Sequence, residues 1–208
     1  MIPIKVLTVD DHPILREGIA AIIENHADIV LVGEAGNGRE AIECFRKLHP
    51  DVTLMDLVMP EMNGIDATIA IRKEFPNARI VVLTTYKGDV QAAQALDAGA
   101  CGYLLKSSLR KDLLDTIRSV HAGQRRIPPE IAIAMAEHHS FDTLSERELQ
   151  VLQQVAAGNA NKIVAAHLSI SEDTVKGHVK AILAKLGAND RTHAVTIALK
   201  RGIISLEE

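Results

Sequence analysis

Short apolar runs and helix-spaced apolar positions alternate along the first part of this chain. Four runs, Ile4–Val9, 52–55, 79–83 and Gly102–Leu105, are rich in Val, Ile and Leu with few polar breaks, the pattern of strands buried on both faces. Helical patterns lie between them, so the strands are expected as parallel neighbours in one α/β sheet. Leu113, Leu114, Ile117 and Val120 mark the last helix of this region, which Ala122-Gly123 should end, because glycine suits the position just past a helix. Arg125-Arg126-Ile127-Pro128-Pro129 cannot continue it, since prolines remove donors and restrict the residue before them. A short helix is expected over 130–139, with His138-His139 as a solvated linker end.

Beyond this joint every pattern is helical. Ser145 followed by Glu148 forms a capping box, and Leu144 with Leu149 a hydrophobic staple, so a helix is predicted over 146–157, ending before Gly158. A second is predicted over 161–168. Ser169-Ile170-Ser171 then breaks the chain, with Ser171 as N-cap of a third helix. That spacing is a helix-turn-helix. In the third helix Val175, Val179, Ile182, Leu183 and Leu186 form one buried stripe, while Lys176, Lys180 and Ala184 share the opposite face. The organisation read from the sequence is a first domain over 1–122, a linker over 123–142 and a second domain over 143–208.

Five polar residues stand at or just after the ends of the apolar runs: Asp10, Asp11, Asp56, Thr84 and Lys106. In parallel sheets ligands bind outside the carboxyl ends of the strands, so these residues are expected to converge. Crowded carboxylates favour a hard divalent cation with oxygen ligands, Mg²⁺ before Zn²⁺, and no Cys or His is assigned to the cluster. An Asp beside such an ion can attack a phosphoryl group while the metal, a hydroxyl and an ammonium neutralise its oxygens.

Charge adds little until it is divided. The net charge of −4 argues against a generic nucleic-acid binder, yet residues 1–122 hold 13 Lys and Arg against 17 Asp and Glu, and residues 143–208 hold 8 against 7. The stretch 174–186 carries Lys176, His178, Lys180 and Lys185 with no acid, which fits a DNA-facing helix. Cys44 and Cys101 have no ligand spacing and read as reduced packing residues. With no membrane-length apolar run and no signal-peptide pattern at the start, a cytoplasmic protein is expected.

The segments Val9-Asp10-Asp11-His12-Pro13, Leu54-Met55-Asp56-Leu57-Val58-Met59-Pro60 with Gly64, Val82-Leu83-Thr84-Thr85 and Gly102-Tyr103-Leu104-Leu105-Lys106 resemble the receiver domain of two-component response regulators. The resemblance implies a flavodoxin-like (βα)5 fold with Asp56 as phosphoacceptor. It implies Mg²⁺ held by Asp11, Asp56 and the backbone carbonyl of Val58, with Asp10 acting through water. Thr84 and Lys106 would contact the phosphoryl group, and Tyr103 would be the aromatic switch residue that follows Thr84. The family positions that help place the hydrolytic water are Val58 and Tyr86, an apolar side chain and a bulky ring, which implies a long-lived phosphorylated form.

The second region resembles the LuxR-type DNA-binding domain through Leu144-Ser145-Glu146-Arg147-Glu148, Ala156-Ala157-Gly158, Asn161-Lys162, Leu168-Ser169-Ile170-Ser171, Thr174-Val175-Lys176, His178 and Lys185-Leu186. Together the two place the chain in the NarL/FixJ class. The class implies an all-α four-helix domain, a sensor histidine kinase and double-stranded promoter DNA as partners, and a homodimer formed partly through a last helix over 191–200. Lys176 and Lys180 would face bases or phosphates; Lys162, Thr174 and His178 are candidate phosphate contacts. Gly177 stands where relatives often carry a base-reading side chain, and Ile163 where they commonly have a charge, read here as a packing residue. A non-enzymatic regulator is expected. A phosphatase of the haloacid dehalogenase type needs an acid two residues after its nucleophile, where this chain has Val58; the other alternative is a regulator switched by protein or ligand binding without phosphate, against which the intact acidic cluster weighs.

Overall fold

The computed structural model describes residues 2–85, 89–138 and 144–204, and only the backbone of residues 89 and 134–138. These fall into two units, one formed by Met1–Thr85 with Ala92–Ala132 and the other by the rest. The first is a five-stranded parallel sheet in the order β2-β1-β3-β4-β5, with β1 Ile4–Val9, β2 Ile29–Ala35, β3 Val52–Asp56, β4 Ile80–Thr84 and β5 Gly102–Leu105. Helices α1 Pro13–Glu24, α2 Gly38–Leu48, α3 Gly64–Glu74, α4 Asp89–Asp97 and α5 Leu109–His121 alternate with the strands. This is the flavodoxin-like arrangement expected. Strand β2 is the one the apolar runs did not single out; it is an edge strand with only its two end residues buried.

The sheet separates two cores, which explains its nearly unbroken apolar strands. Val6, Leu54 and Leu83 pack with Ile19 and Ile23 of α1 and Leu113, Ile117 and Val120 of α5. On the other face Leu7, Val9 and Met55 pack with Phe45 of α2 and Ile71 of α3. The strand order reverses between β1 and β3, so the crevice where ligands collect in such sheets opens at the ends of these two strands. One glycine lets α3 begin against that crevice. The Gly64 N–H donates to Leu57 O at 3.0 Å, and a Cβ at this position would lie 1.9 Å from the carbonyl oxygen of Asp56.

The stretch read as linker is not uniform. Helix α5 ends as expected, with Ala122 as C-cap and Gly123 at φ 84°, but the chain then returns to the sheet. Tyr103 N–H donates to Arg126 O at 2.8 Å and Arg126 N–H to Cys101 O at 3.1 Å, a parallel bridge along the outer edge of β5. Helix α6, Pro129–His138, starts one residue earlier than expected; Pro129 occupies its first turn, where a missing N–H costs nothing. Ile131 is fully buried. The side chain of His138 and all of His139 lie outside the described residues.

In the second unit α7 Glu146–Ala156, α8 Asn161–Leu168, α9 Glu172–Leu186 and α10 Arg191–Arg201 enclose one core built on Val151, Leu152, Val164, Val175, Ile182 and Leu186. The capping box forms: Glu148 N–H donates to Ser145 Oγ, and Ser145 N–H to Glu148 Oε2 at 2.7 Å. Leu144 and Leu149 both pack against this core. Ser169 takes the left-handed conformation, φ 54°, and turns the chain between α8 and α9.

Two glycine substitutions should move in opposite directions. Gly64→Ala is expected to lower the stability of the first unit by at least the roughly 1–3 kcal/mol of an overpacked site, because the obstacle is backbone. A Cβ on Gly177 in α9 meets nothing within 4 Å, so Gly177→Ala should stabilise its helix by about 1 kcal/mol. Urea denaturation of each variant measures both.

Candidate functional site

The parallel sheet delivers the acidic residues to one place. Asp10 and Asp11 follow β1, Asp56 ends β3, Thr84 ends β4, and Lys106 begins a short 3-10 turn after β5. Asp10 is fully buried and Asp56 is 3% exposed. Lys106 Nζ stands 2.8 Å from Asp10 Oδ2 and 2.8 Å from Asp56 Oδ2. A single ammonium therefore faces two buried carboxylates.

Ligand atoms of Asp10, Asp11, His12 and Asp56 all lie within 4.8 Å of one another. The histidine is a correction to the sequence reading, which kept His out of the cluster. His12 is the N-cap of α1 and follows the acidic pair directly, so its Nδ1 comes 2.8 Å from Asp11 Oδ1 and 3.1 Å from Asp10 Oδ1; adjacency in sequence was the available signal. Three carboxylates thus crowd against one ammonium, with Asp10 Oδ2 paired to Lys106 and Asp11 Oδ1 beside the His12 ring. An excess of carboxylate charge in a mostly oxygen donor set fits a hard divalent cation.

Burial pushes the Asp56 carboxyl up to about 6, against the lowering effect of the Lys106 ammonium and of a hydrogen bond from the Val58 backbone N–H. Burial acts downward on Lys106, but Asp10 and Asp56 outweigh it and leave the amine above its ordinary value. Val58 is 50% exposed at the rim. Tyr86 lies outside the described residues. Thr84 is buried and shares a hydrogen bond with the Tyr103 hydroxyl, whose own pKa burial pushes up to about 12. Tyr103 is 1% exposed, so its ring sits wholly inside the fold.

In the second unit α9 presents Lys176, Gly177 and Lys180 to solvent, and Lys162 is exposed on α8. His178 is half-buried. Thr174 is exposed, but its hydroxyl is 2.8 Å from that of Ser171 and its N–H donates to Ser171 Oγ, so it helps cap α9. Ile163, expected to pack, is 46% exposed. Lys185 Nζ, 2.8 Å from the nearly buried Glu148 carboxylate, ties α9 to the capping box of α7. Two acids outside the stretch 174–186 change its charge balance: Lys176 Nζ lies 3.0 Å from Asp173 Oδ1 and 4.0 Å from Glu172 Oε1.

Asp56 makes stability depend on pH. Its carboxyl ionises near 3.8 in the unfolded chain and near 6 in the native state, so between these values the native state binds more protons and stability falls as pH rises. The penalty is complete above about pH 6 and has an upper limit of about 3 kcal/mol. In metal-free buffer at pH 7.5, Asp56→Asn should therefore stabilise the first unit by about 1–2 kcal/mol, less than the limit because Lys106 loses an ionic partner. Near pH 4 the gain should vanish. Denaturant midpoints at the two pH values measure it.

A family model described as the response regulator receiver domain matches residues 6–118, and one described as bacterial regulatory proteins of the luxR family matches residues 142–198. The chain is 39% identical over 206 residues to the response regulator protein VraR of Staphylococcus aureus, covering 97% of this chain and 99% of that protein. Among solved structures it is similar to the response regulator ChrA of a heme-sensing two-component system, at 36% identity over 98% of this chain and all of that one, TM-score 0.59. It is also similar to the RcsB response regulator of Salmonella typhimurium, at 27% identity over 93% and 98% of the two chains, TM-score 0.68, and to RcsB in a DNA complex, at 26% over 95% and 98%, TM-score 0.67. With both matches in this order along one chain, and relatives aligned from end to end, the protein belongs to the response regulators that join a receiver domain to a LuxR-type domain.

Proposed function

We propose that this protein is a phosphorylation-controlled transcription factor rather than an enzyme that turns over substrate, with Asp56 accepting a phosphoryl group from a sensor histidine kinase. The observation that carries the reading is Lys106 Nζ at 2.8 Å from both Asp10 and Asp56 in a chain that also bears a helix-turn-helix. An oxygen of Asp56 attacks the phosphorus, a C–O–P linkage forms, the P–N bond to the kinase histidine breaks, and the imidazole nitrogen leaves with the bond's electron pair. Asp10, Asp11, Asp56 and the Val58 carbonyl would hold Mg²⁺, which when bound supplies positive charge against the phosphoryl oxygens. Lys106 supplies a second cation from the protein and Thr84 a hydroxyl donor.

The added charge must shift an equilibrium to act as a signal. Moving it from 1:99 to 99:1 takes about 5.5 kcal/mol of differential stabilisation. Thr84, bonded to the phosphoryl group in the modified state, draws on the Tyr103 hydroxyl that it already contacts. The LuxR-type domain then binds promoter DNA as a dimer, partly through α10, with Lys176 and Lys180 in the major groove and Lys162, Thr174 and His178 near phosphates. The solved RcsB dimers on DNA support this use of the domain. Lys176 must exchange Asp173 for a nucleic-acid partner. Among the described residues no helix is long and apolar enough to cross a membrane, and a cytoplasmic location follows from the proposed DNA partner.

Phosphorylation tests the first half of the reading. With Mg²⁺ and an acyl phosphate donor, the wild type should gain one phosphoryl group by intact-mass measurement, and Asp56→Asn none, because an amide is a poor nucleophile and a weak ligand. Omitting Mg²⁺ should abolish the gain.

DNA titrations over a range of salt test the second half. Lys180→Ala should weaken binding and, where the lost contact is to phosphate, reduce the salt slope by about 1. Gly177→Val should leave the slope nearly unchanged while altering the sequences recovered from random DNA, since its side chain can touch a thymine methyl but offers no hydrogen bond. Identical selected sites for wild type and Gly177→Val would mean that this face of α9 is turned away from the bases.

A further inference from the structure

Arg16, on α1, contacts none of the groups assigned to phosphoryl chemistry through their side chains, yet it grips the chain that carries them. Its Nη1 donates to the backbone carbonyl of Asp10 at 2.6 Å, and its Nε donates to Glu34 Oε2 at 3.0 Å. Glu34 lies in β2, paired in register with Thr8 of β1. On the other side of the same residue, Asp10 N–H donates to Ala35 O at 3.1 Å. The Asp10 backbone is thus anchored by β2 at its N–H and by the guanidinium at its C=O.

That carbonyl belongs to the peptide joining Asp10 to Asp11, so its plane sets the directions of two successive carboxylates. The side-chain contacts of Asp10 and Asp11 act at their carboxylates and leave the peptide between them to other partners. Asp10 Oδ1 accepts the His12 N–H at 2.9 Å, Asp10 Oδ2 pairs with the Lys106 ammonium at 2.8 Å, and Asp11 Oδ1 stands 2.8 Å from His12 Nδ1. Repulsion between the acids favours rotating this peptide outward, and a hydrogen bond to a charged donor is the stronger kind of restraint against it. The planar guanidinium spans two acceptors at fixed geometry, which an ammonium on a flexible stem does not.

We propose that Arg16 is a positioning residue for the divalent-cation pocket: through the Asp10–Asp11 peptide it sets the spacing of the carboxylates that bind the ion, with Glu34 fixing the guanidinium. The inference rests on reading the pocket as a Mg²⁺ site. Arg16 belongs with the partners that orient metal ligands without touching the metal, whose loss commonly costs about 10–100-fold in affinity.

Calorimetric titration of the full chain with Mg²⁺ tests this, using wild type, Arg16→Gln, Arg16→Lys, Glu34→Gln and, as reference for the pocket, Asp56→Asn. Arg16→Gln should weaken Mg²⁺ by about 10-fold or more, Glu34→Gln by less, and Arg16→Lys should recover part of the loss. In acyl phosphate reactions the half-saturating Mg²⁺ concentration should rise in parallel, while the rate at saturating Mg²⁺ stays within about twofold of wild type. A merely structural role would lower the saturating rate and the melting temperature in chelator without moving the Mg²⁺ dependence. If Arg16→Gln does not fold, Glu34→Gln and Arg16→Lys decide on the same measurements. Wild-type Mg²⁺ affinity in the Arg16 variants, with binding lost in Asp56→Asn, overturns the positioning role alone. Binding absent from wild type, or unaffected in Asp56→Asn, overturns the pocket reading and the role together.

Discussion

Asp10 and Asp56 share one ammonium inside a sheet that leaves them no room to separate. Their strands are hydrogen-bonded neighbours, and the register that pairs Val9 with Met55 brings the next residues, Asp10 and Asp56, side by side. Lys106 enters from the end of β5 and reaches both. The result is a pocket with more negative than positive charge held in place by two apolar cores. Such a site is unfavourable without a counter-charge, and that imbalance is what gives a cation something to bind. The neighbouring features serve this arrangement: Gly64 lets α3 approach the end of β3, and the Thr84–Tyr103 hydrogen bond connects β4 to β5 behind it.

The second unit uses a partly buried ion pair for a different purpose. Glu148 caps its own helix and also pairs with Lys185 near the end of α9, so one carboxylate fixes both the start of α7 and the seating of α9. A paired charge at such a position gives directional specificity more than net stability. The outward face of α9 keeps its lysines exposed, and Asp173 occupies Lys176 at 3.0 Å. An exposed pair of this kind is weak, so it can be exchanged at little cost.

Much of this was legible because burial on both faces and helix capping leave strong marks. Four strands were visible as apolar runs, and the helices of the second unit were bounded by Ser145, Gly158 and Ser171. Strand β2 was harder to see, because an edge strand exposes part of itself and its apolar pattern is broken by Gly33 and Glu34. The pocket's acids could be named because polar residues at the ends of buried strands are conspicuous. His12 carried a signal too, its place directly after the acidic pair, whereas Arg16 reaches the Asp10 carbonyl from within α1 and nothing in its spacing separates it from an ordinary helix-surface residue. The partner of Lys176, Asp173, stands one residue before the acid-free stretch 174–186 and so leaves no mark on its charge count. Ile163 remains exposed on α8, and nothing in the structure explains it.

The return of Arg126 to β5 bears on where this protein can be divided. A chain cut after residue 122 would leave the Tyr103 N–H and the Cys101 carbonyl without the partners they now have and would strip a covering segment from the open edge of the sheet, the kind of edge that recruits other chains. A boundary at residue 122 therefore falls inside the first unit, which runs on to Ala132. It follows that the exit path begins as part of the sheet itself. Tyr103 touches Thr84 with its hydroxyl and Arg126 with its N–H, so a displacement of this one residue reaches the departing chain across a single hydrogen bond, before any linker intervenes.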